Sequence, residues 1–361
     1  MKATQKLHDL GQSLWVDNIS RQMLDDGLLE QYIRDYSVTG LTSNPTIFDH
    51  AIAKSHGYDQ TIQEHASHGL EGEPLFFVLA MEDLRRAAEL FHPVYDATEG
   101  EDGWVSLEVS PLLAYDASRT LQEAKRIHGA MGCPNLFVKI PGTREGLPAV
   151  VDAIADGVPI NVTLLFSVNQ YAAAADAYMT GLERRKAAGL PLDAVSSVAS
   201  VFISRWDKAT MGKVPDRLRN QLGIAVAKQT YRAYCEVLAS ERWRSLAREG
   251  ARPQRLLWAS TGTKDPQASD ILYVRSLASP KTINTMPEET LLAFADHGQI
   301  EALLPPDGGD ASTVLAEFRE AGVDVHELAE QLQQDGAAAF VASWKDLLRS
   351  LAERSALLQN A

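Results

Sequence analysis

Residues 135–164 read NLFVKIPGTREGLPAVVDAIADGVPINVTL. The stretch opens on a short β-rich run at 135–140. It passes through a helical pattern at 144–156, with Leu147, Val150, Val151 and Ile154 on one side, and closes on a second β-rich run at 159–164. Strand, helix and strand in about thirty residues make a crossover unit that pairs two parallel strands. The alternation extends in both directions. Further β-rich runs fall at 13–17, 38–42, 104–109, 194–203, 255–260 and 282–285. Eight such units predict an α/β chain folded as a (β/α)8 TIM barrel rather than an open sheet.

Helices are expected at 117–130, where Leu121 and Lys125 lie one turn apart, at 168–186, which is rich in alanine, and as one long helix over 221–249. Two regions exceed the minimal barrel. A mostly helical connection at about 51–102 follows the second strand, and Leu75-Phe-Phe-Val-Leu-Ala-Met81 reads as the apolar face of a buried helix within it. Further helices are expected at about 310–359, after the turn signal Pro305-Pro-Asp-Gly-Gly309. Asp324 and Glu327 have the spacing of a helix-capping pair, and Phe340, Trp344, Leu347 and Leu351 recur at helical spacing. The whole chain, 1–361, is expected to form one barrel domain, although 361 residues would also accommodate two.

Composition excludes several classes. With 45% apolar and 23% charged residues the chain is ordinary for a globular protein, not a disordered one. Its net charge of −14 makes it a poor general binder of nucleic acid or anionic membrane, so any anion must be met at a local basic spot. No stretch is apolar and long enough for a membrane span, and the N-terminus lacks the apolar core of a signal peptide. Two cysteines, Cys133 and Cys235, cannot form a disulfide framework, and a cytoplasmic location is expected. His65 and His68 are three apart, but no further ligand spacing supports a metal there, so no metal site is expected. No glycine-rich nucleotide loop is present.

In a barrel of this kind, chemistry sits at the C-terminal ends of the strands, and several runs end in polar residues there. They carry Asp17, Asn44, Glu108, Lys139, Asn161 with Thr163, Ser200 with Phe202 and Arg205, and Ser260. Lys139 stands out, flanked by Val138 and Ile140. A buried ammonium is costly unless paired or neutralised, and a neutral amine is a good nucleophile toward a ketone or aldehyde. The competing reading is a structural ion pair with Glu108 or Asp17. Those carboxylates serve acid–base chemistry if they approach the amine, and are structural otherwise. Asn161 and Thr163 share a strand face and can equally form an interior hydrogen-bond layer. Asn44 before Pro45 can end a strand as turn chemistry. Arg205 can bind a phosphate or pair with Asp207.

These motifs, taken in order, resemble the transaldolases, the longer bacterial branch of that family. Gly40-Leu-Thr-Ser-Asn-Pro-Thr-Ile-Phe48 is similar to the family's first signature, and Asn135-Leu-Phe-Val-Lys-Ile-Pro-Gly-Thr143 to its Schiff-base lysine signature. Ser106-Leu-Glu-Val-Ser110, Asn161-Val-Thr-Leu-Leu-Phe-Ser167 and Ser200-Val-Phe-Ile-Ser-Arg205 resemble the motifs of its third, fifth and sixth strands. The resemblance implies Lys139 as the imine-forming lysine and Asp17 as the base for the C4 hydroxyl. It implies Glu108 and Thr163 as holders of a water for proton transfers, and Asn44 and Asn161 as groups that hold the dihydroxyacetone fragment. Ser200 and Phe202 would bind and shape the pocket, and Arg205 would bind phosphate. One departure stands past the seventh strand. Better-known members place an arginine there, whereas this chain has Ser260-Thr-Gly-Thr-Lys264, so Lys264 is expected to supply the second cation near Ser260.

The implied reaction moves a dihydroxyacetone unit from sedoheptulose 7-phosphate or fructose 6-phosphate to glyceraldehyde 3-phosphate or erythrose 4-phosphate. It needs no cofactor. The implied partners are sugar phosphates, and the excess helices suit either a monomer or a homodimer face. The related fructose-6-phosphate aldolases, which release the fragment, resemble this site but carry Gln and Tyr where Glu108 and Phe202 stand. A silent sugar-phosphate-binding barrel would be expected to have lost the lysine or a carboxylate.

Overall fold

The computed structural model describes residues 1–359, so the last two residues of the expected 1–361 span lie outside the described residues. Eight strands close into a barrel in chain order, every pair parallel, with β1 hydrogen-bonded to β8. They are β1 (Gln12–Val16), β2 (Val38–Leu41), β3 (Trp104–Glu108), β4 (Leu136–Pro141), β5 (Ile160–Leu165), β6 (Ser197–Phe202), β7 (Arg255–Ala259) and β8 (Thr282–Met286). Each overlaps its expected run. The sixth is the most trimmed, because residues 194–196 precede the pairing.

Side-chain alternation divides the apolar residues into two clusters. The larger lies between the strands and the surrounding helices and includes Leu14, Val105, Leu107, Val138, Ile140, Val162, Val201 and Leu256. The smaller includes the barrel-interior residues Trp15, Trp104, Phe137, Val198, Leu257 and Ile283, and continues outward through Phe202 and Trp206 to helix residues such as Leu222, Phe318 and Phe340. The Trp104 and Phe137 rings stack at 4.0 Å between centroids, and Trp15 stacks on Phe137 at 6.3 Å. Below this plug, buried Asp102 accepts hydrogen bonds from the Trp15 indole at 2.8 Å and from Ser13, with Arg255 at 3.7 Å. Gly40 is what lets the plug form. A Cβ there would lie 2.6 Å from the Trp15 ring and 2.8 Å from the Trp104 carbonyl.

The connection after β2 is helical, as expected, but starts earlier. Asn44 caps a helix over Pro45–Lys54 by accepting the Ile47 N–H at 3.2 Å, with Pro45 in the first turn. Helices Asp59–Ser67 and Gly72–Ala97 follow, and the second buries Leu75, Phe76, Phe77, Leu79, Ala80 and Met81. The expected single helix over 221–249 is two, Leu222–Ala239 and Glu241–Ala247. Ser240 sits between them in an extended conformation. Its hydroxyl accepts the Trp243 N–H at 3.2 Å and donates to the Val237 carbonyl at 2.7 Å, so a side chain that competes for backbone groups ends one helix and caps the next.

At the end of the chain lie helices Ala311–Glu320 and Val325–Gln359. Asp324 accepts the N–H groups of His326 and Glu327 at 2.9 and 3.0 Å. The long tail helix packs largely against the insertion. Trp344 meets Phe76 edge-on at 4.8 Å and donates to Glu73 at 2.8 Å, and Ser350 donates to Asp49 at 2.9 Å. The two regions outside the minimal barrel thus cover one another. Among the described residues no helix is long and apolar enough to cross a membrane.

Helix Ser204–Thr210 follows β6 and carries Arg205 and Asp207. The two do not pair, which corrects the ion pair considered from the sequence. Asp207 is buried at the start of helix Leu222–Ala239, where it accepts the Leu222 and Gly223 N–H groups at 2.9 and 3.2 Å and the Tyr273 hydroxyl at 2.8 Å. The exposed N–H groups of that helix were the better partner. Desolvation nonetheless pushes the Asp207 carboxyl up to about 6, against the lowering effect of those hydrogen bonds.

Two measurements follow from this packing. Gly40→Ala is expected to lower the free energy of unfolding by about 1–3 kcal/mol, read by denaturant titration, because the plug must shift to admit the methyl group. Asp207 is protonated more readily folded than unfolded, so its stabilising contribution is full below the ordinary carboxylate range and is lost as pH rises through about 6. The stability of the parent relative to Asp207→Asn should therefore fall by roughly 1 kcal/mol between about pH 5 and pH 7. A difference that instead grows with pH would mean that the three hydrogen bonds outweigh desolvation.

Candidate active site

The interior alternation that seats the plug also places the polar layer above it. Two residues along from Trp15 is Asp17; from Phe137, Lys139; from Val198, Ser200; and from Ile283, Thr285. Ser106 and then Glu108 follow Trp104 in the same way. Register sets these side chains at one level. Glu108 on β3 pairs with Lys139 on β4, and Lys139 pairs with Asn161 on β5.

Lys139 is 5% exposed. Its ammonium lies 3.2 Å from Glu108 Oε2 and donates to the Ser43 carbonyl at 3.2 Å. Glu108 is equally buried. Desolvation pushes its carboxyl up, with Lys139 the main opposing influence. The contact is an ion pair without hydrogen-bond alignment, and both Glu108 oxygens and the buried Thr163 hydroxyl lack a hydrogen-bond partner among the described residues. Polar groups so buried are costly unless water or a ligand meets them.

Asn161 is fully buried and fixed from two sides. Its amide donates to Ser106 Oγ at 3.3 Å, and its carbonyl oxygen accepts the Ser200 hydroxyl at 2.6 Å. Asp17, half-buried past the end of β1, accepts the Thr42 hydroxyl at 2.6 Å, and Thr42 shares a 2.7 Å hydrogen bond with Thr285. Desolvation pushes the Asp17 carboxyl up, while Lys139, Thr42 and Lys264 pull it down. Beyond Thr163 the β5 backbone leaves the regular ladder. Leu164 adopts a φ of 58° where the register with β6 shifts, a bulge of the kind that re-aims side chains next to active sites.

A cleft of about 130 Å3 gathers these groups. It is lined by Asp17, Asn44, Lys139, Thr163, Ser200, Phe202, Arg205, Ser260 and Lys264 among the residues expected from sequence. Glu108 and Asn161 stand beside its floor through their contacts to Lys139 and Ser200. Asn44 thus combines both readings made of it, since it caps a helix and also faces the cleft. Ser260 adopts a φ of 55° just past β7 and bonds Ser204 at 2.9 Å, and Lys264 is exposed at the rim without a carboxylate partner among the described residues. Arg205 likewise has no carboxylate within ion-pairing distance among the described residues.

Thr42, Thr285 and Phe340 also line the cleft, beside Ala259, Gly262 and Pro287, and none of them is among the functional residues expected from sequence. Thr42 and Thr285 sit at strand ends like the others; for Thr285 the available signal is its place two positions past the interior Ile283, and for Thr42 it is only the polar strand end. Phe340 was read only as a packing residue of the tail helix, and no local pattern could have placed its ring in the cleft. A larger hollow of about 620 Å3 lies among outer helices beside Arg319 and Asp324, and it gathers no lysine with a buried carboxylate. Among the described residues no group of histidine, cysteine and carboxylate side chains is placed to hold a metal.

Comparison with known proteins identifies the family. The family model described as transaldolase/fructose-6-phosphate aldolase matches residues 14–351. A transaldolase of Parafrankia sp. (strain EAN1pec) is 43% identical over 361 residues, covering 98% of both chains. One from Thermobifida fusca (strain YX) is 44% identical over 360 residues, again covering 98% of both. One from Mycobacterium bovis (strain BCG / Pasteur 1173P2) is 42% identical over 349 residues, covering 94% of this chain and 93% of its own.

Proposed function

Because the chain belongs to the transaldolase/fructose-6-phosphate aldolase family, we propose a transaldolase mechanism in which Lys139 carries the transferred fragment as an imine. The protein is a transferase of the pentose phosphate pathway. The observation that carries the residue assignment is the buried Lys139–Glu108 contact at 3.2 Å, in a cleft that also presents Asp17, Asn44, Arg205 and Lys264.

The amine must lose its proton before it attacks the C2 carbonyl of a ketose phosphate. Glu108 is the acceptor at hand, and its upward-shifted carboxyl is suited to hold that proton. Addition gives a carbinolamine. Glu108 and Thr163, through a water held between them, shuttle the protons that release hydroxide as water and leave the protonated imine. Their unpartnered buried oxygens support that role.

The imine then draws the electrons of the C3–C4 bond. Asp17 removes the C4 hydroxyl proton, the bond breaks, the aldehyde departs, and a dihydroxyacetone enamine remains on Lys139. Thr42 orients the Asp17 carboxylate for this step. Asn44 and Asn161 hold the fragment hydroxyls, and Ser200 fixes the Asn161 amide. An acceptor aldehyde reverses the sequence. Its carbonyl carbon bonds to the enamine carbon, Asp17 returns the proton to the new hydroxyl, and water hydrolyses the imine. Donors are sedoheptulose 7-phosphate or fructose 6-phosphate, and acceptors glyceraldehyde 3-phosphate or erythrose 4-phosphate. Arg205 and Lys264 offer a dianionic phosphate uncompensated positive charge in a chain of net charge −14. We place the reaction in the cytoplasm, in keeping with two unpaired cysteines, on a monomer or homodimer.

Borohydride added to the protein with fructose 6-phosphate should fix a three-carbon adduct on Lys139, located by mass spectrometry. Erythrose 4-phosphate supplied before the reductant should remove it. Adduct decay without acceptor, with free dihydroxyacetone released, would instead mark a cleaving aldolase. Absence of any Lys139 adduct would overturn the imine reading. For Lys264→Ala, KM for the phosphorylated substrates should rise about tenfold with kcat little changed. An unchanged KM would remove Lys264 from the phosphate site.

A further inference from the structure

Phe340 belongs to helix Val325–Gln359, outside the eight β/α units, yet its ring forms part of the cleft wall. The ring centroid lies 5.6 Å from the Lys139 ammonium and 5.8 Å from the Arg205 guanidinium carbon. The same guanidinium lies over the Phe202 ring at 5.1 Å. Glu108 and Asp335 influence Arg205 only at longer range, and desolvation is the larger effect on it. A guanidinium in a cleft is commonly oriented by a carboxylate, which also consumes its charge and donors. Here two aromatic rings occupy that place. A cation held over ring faces keeps its in-plane N–H donors free for another anion.

The tail helix is built to come this close. Gln333 donates to the Gly142 and Leu164 carbonyls at 3.0 and 2.9 Å, which ties the helix to the ends of β4 and β5. Gly336 passes over Arg205, and a Cβ there would lie 3.0 Å from Arg205 Nη1 and 3.0 Å from the Leu164 side chain.

We propose that Phe340 is a specificity residue for phosphorylated sugars: together with Phe202 it holds the Arg205 guanidinium by its faces, at a fixed distance from Lys139, with its donors open to the substrate phosphate. The proposal rests on the reading that Arg205 meets the phosphate. It adds that the tail helix supplies half of the guanidinium's support. It also explains why a helix beyond the barrel repeat carries a buried phenylalanine into a polar cleft.

Steady-state kinetics with fructose 6-phosphate, and inhibition by inorganic phosphate, test it on the full chain. In Phe340→Leu the apparent KM and the phosphate inhibition constant should both rise about tenfold, with kcat within about threefold of the parent. Phe340→Tyr keeps the ring and should stay within about twofold on all three. Gly336→Ala leaves Phe340 intact but presses on Arg205, and should raise the same two constants. An unchanged phosphate inhibition constant in Phe340→Leu would overturn the proposal, whatever Gly336→Ala does, as would a loss confined to kcat, which packing damage alone produces. Arg205→Ala separates the two levels of the argument. If it fails to weaken phosphate, the phosphate reading of Arg205 falls. If it weakens phosphate while Phe340→Leu does not, only the role of Phe340 falls.

Discussion

The pairing of β3 with β4 sets Glu108 beside Lys139, and everything else at the barrel mouth is arranged around that buried pair. Two opposite charges removed from water cost several kcal/mol in desolvation, and their mutual attraction repays this only with good geometry and further hydrogen bonds. This pair is incompletely compensated. Among the described residues Lys139 has one carbonyl partner, and both Glu108 oxygens lack hydrogen bonds. A purely structural ion pair would gain from completing that set. An incomplete one leaves a carboxyl shifted upward beside an amine, where a proton can pass between them.

Rigidity beneath the pair makes that arrangement tenable. The stacked Trp104, Phe137 and Trp15 rings fill the barrel one layer below, and Gly40 opens the space that Trp15 needs. Because side chains alternate, β1, β3, β4, β6 and β8, which bring Trp15, Trp104, Phe137, Val198 and Ile283 into the interior, present a polar residue at the next interior position, whereas β7 follows Leu257 with Ala259. Core and site are therefore written on the same strand faces, and a change in register would displace both together.

Charge is distributed with equal economy around the cleft. The chain is strongly acidic, yet Arg205 and Lys264 stand at the site without carboxylate partners among the described residues. Asp207, two residues from Arg205 in sequence, is engaged by the first turn of helix Leu222–Ala239 and by Tyr273. Where the tail helix meets Arg205 it presents a glycine and a phenylalanine, and its Asp335 acts on the guanidinium only at longer range. The insertion after β2 supports that helix through Glu73 and Phe76 on Trp344, so the two additions to the barrel act on the site jointly.

By itself the sequence determined the barrel, the strand runs and the polar residues that end them. Alternation and helical periodicity are local patterns, and each of the eight runs lies within a few residues of its strand. Lys139 was legible for the same reason, as a charged residue flanked by β-branched neighbours. Local pattern failed where a choice of partner was made in space. Ser240 ends a helix because its hydroxyl took both a donor and an acceptor from the backbone. Asp207 turned to a helix start fifteen residues on rather than to Arg205. Phe340 has the helical spacing of a core residue, and only packing of the tail helix across β4 and β5 turned its ring toward Lys139 and Arg205. Periodicity fixes which face a side chain occupies along its own element. What that face meets depends on contacts between residues hundreds of positions apart, and these exist only once the barrel has closed.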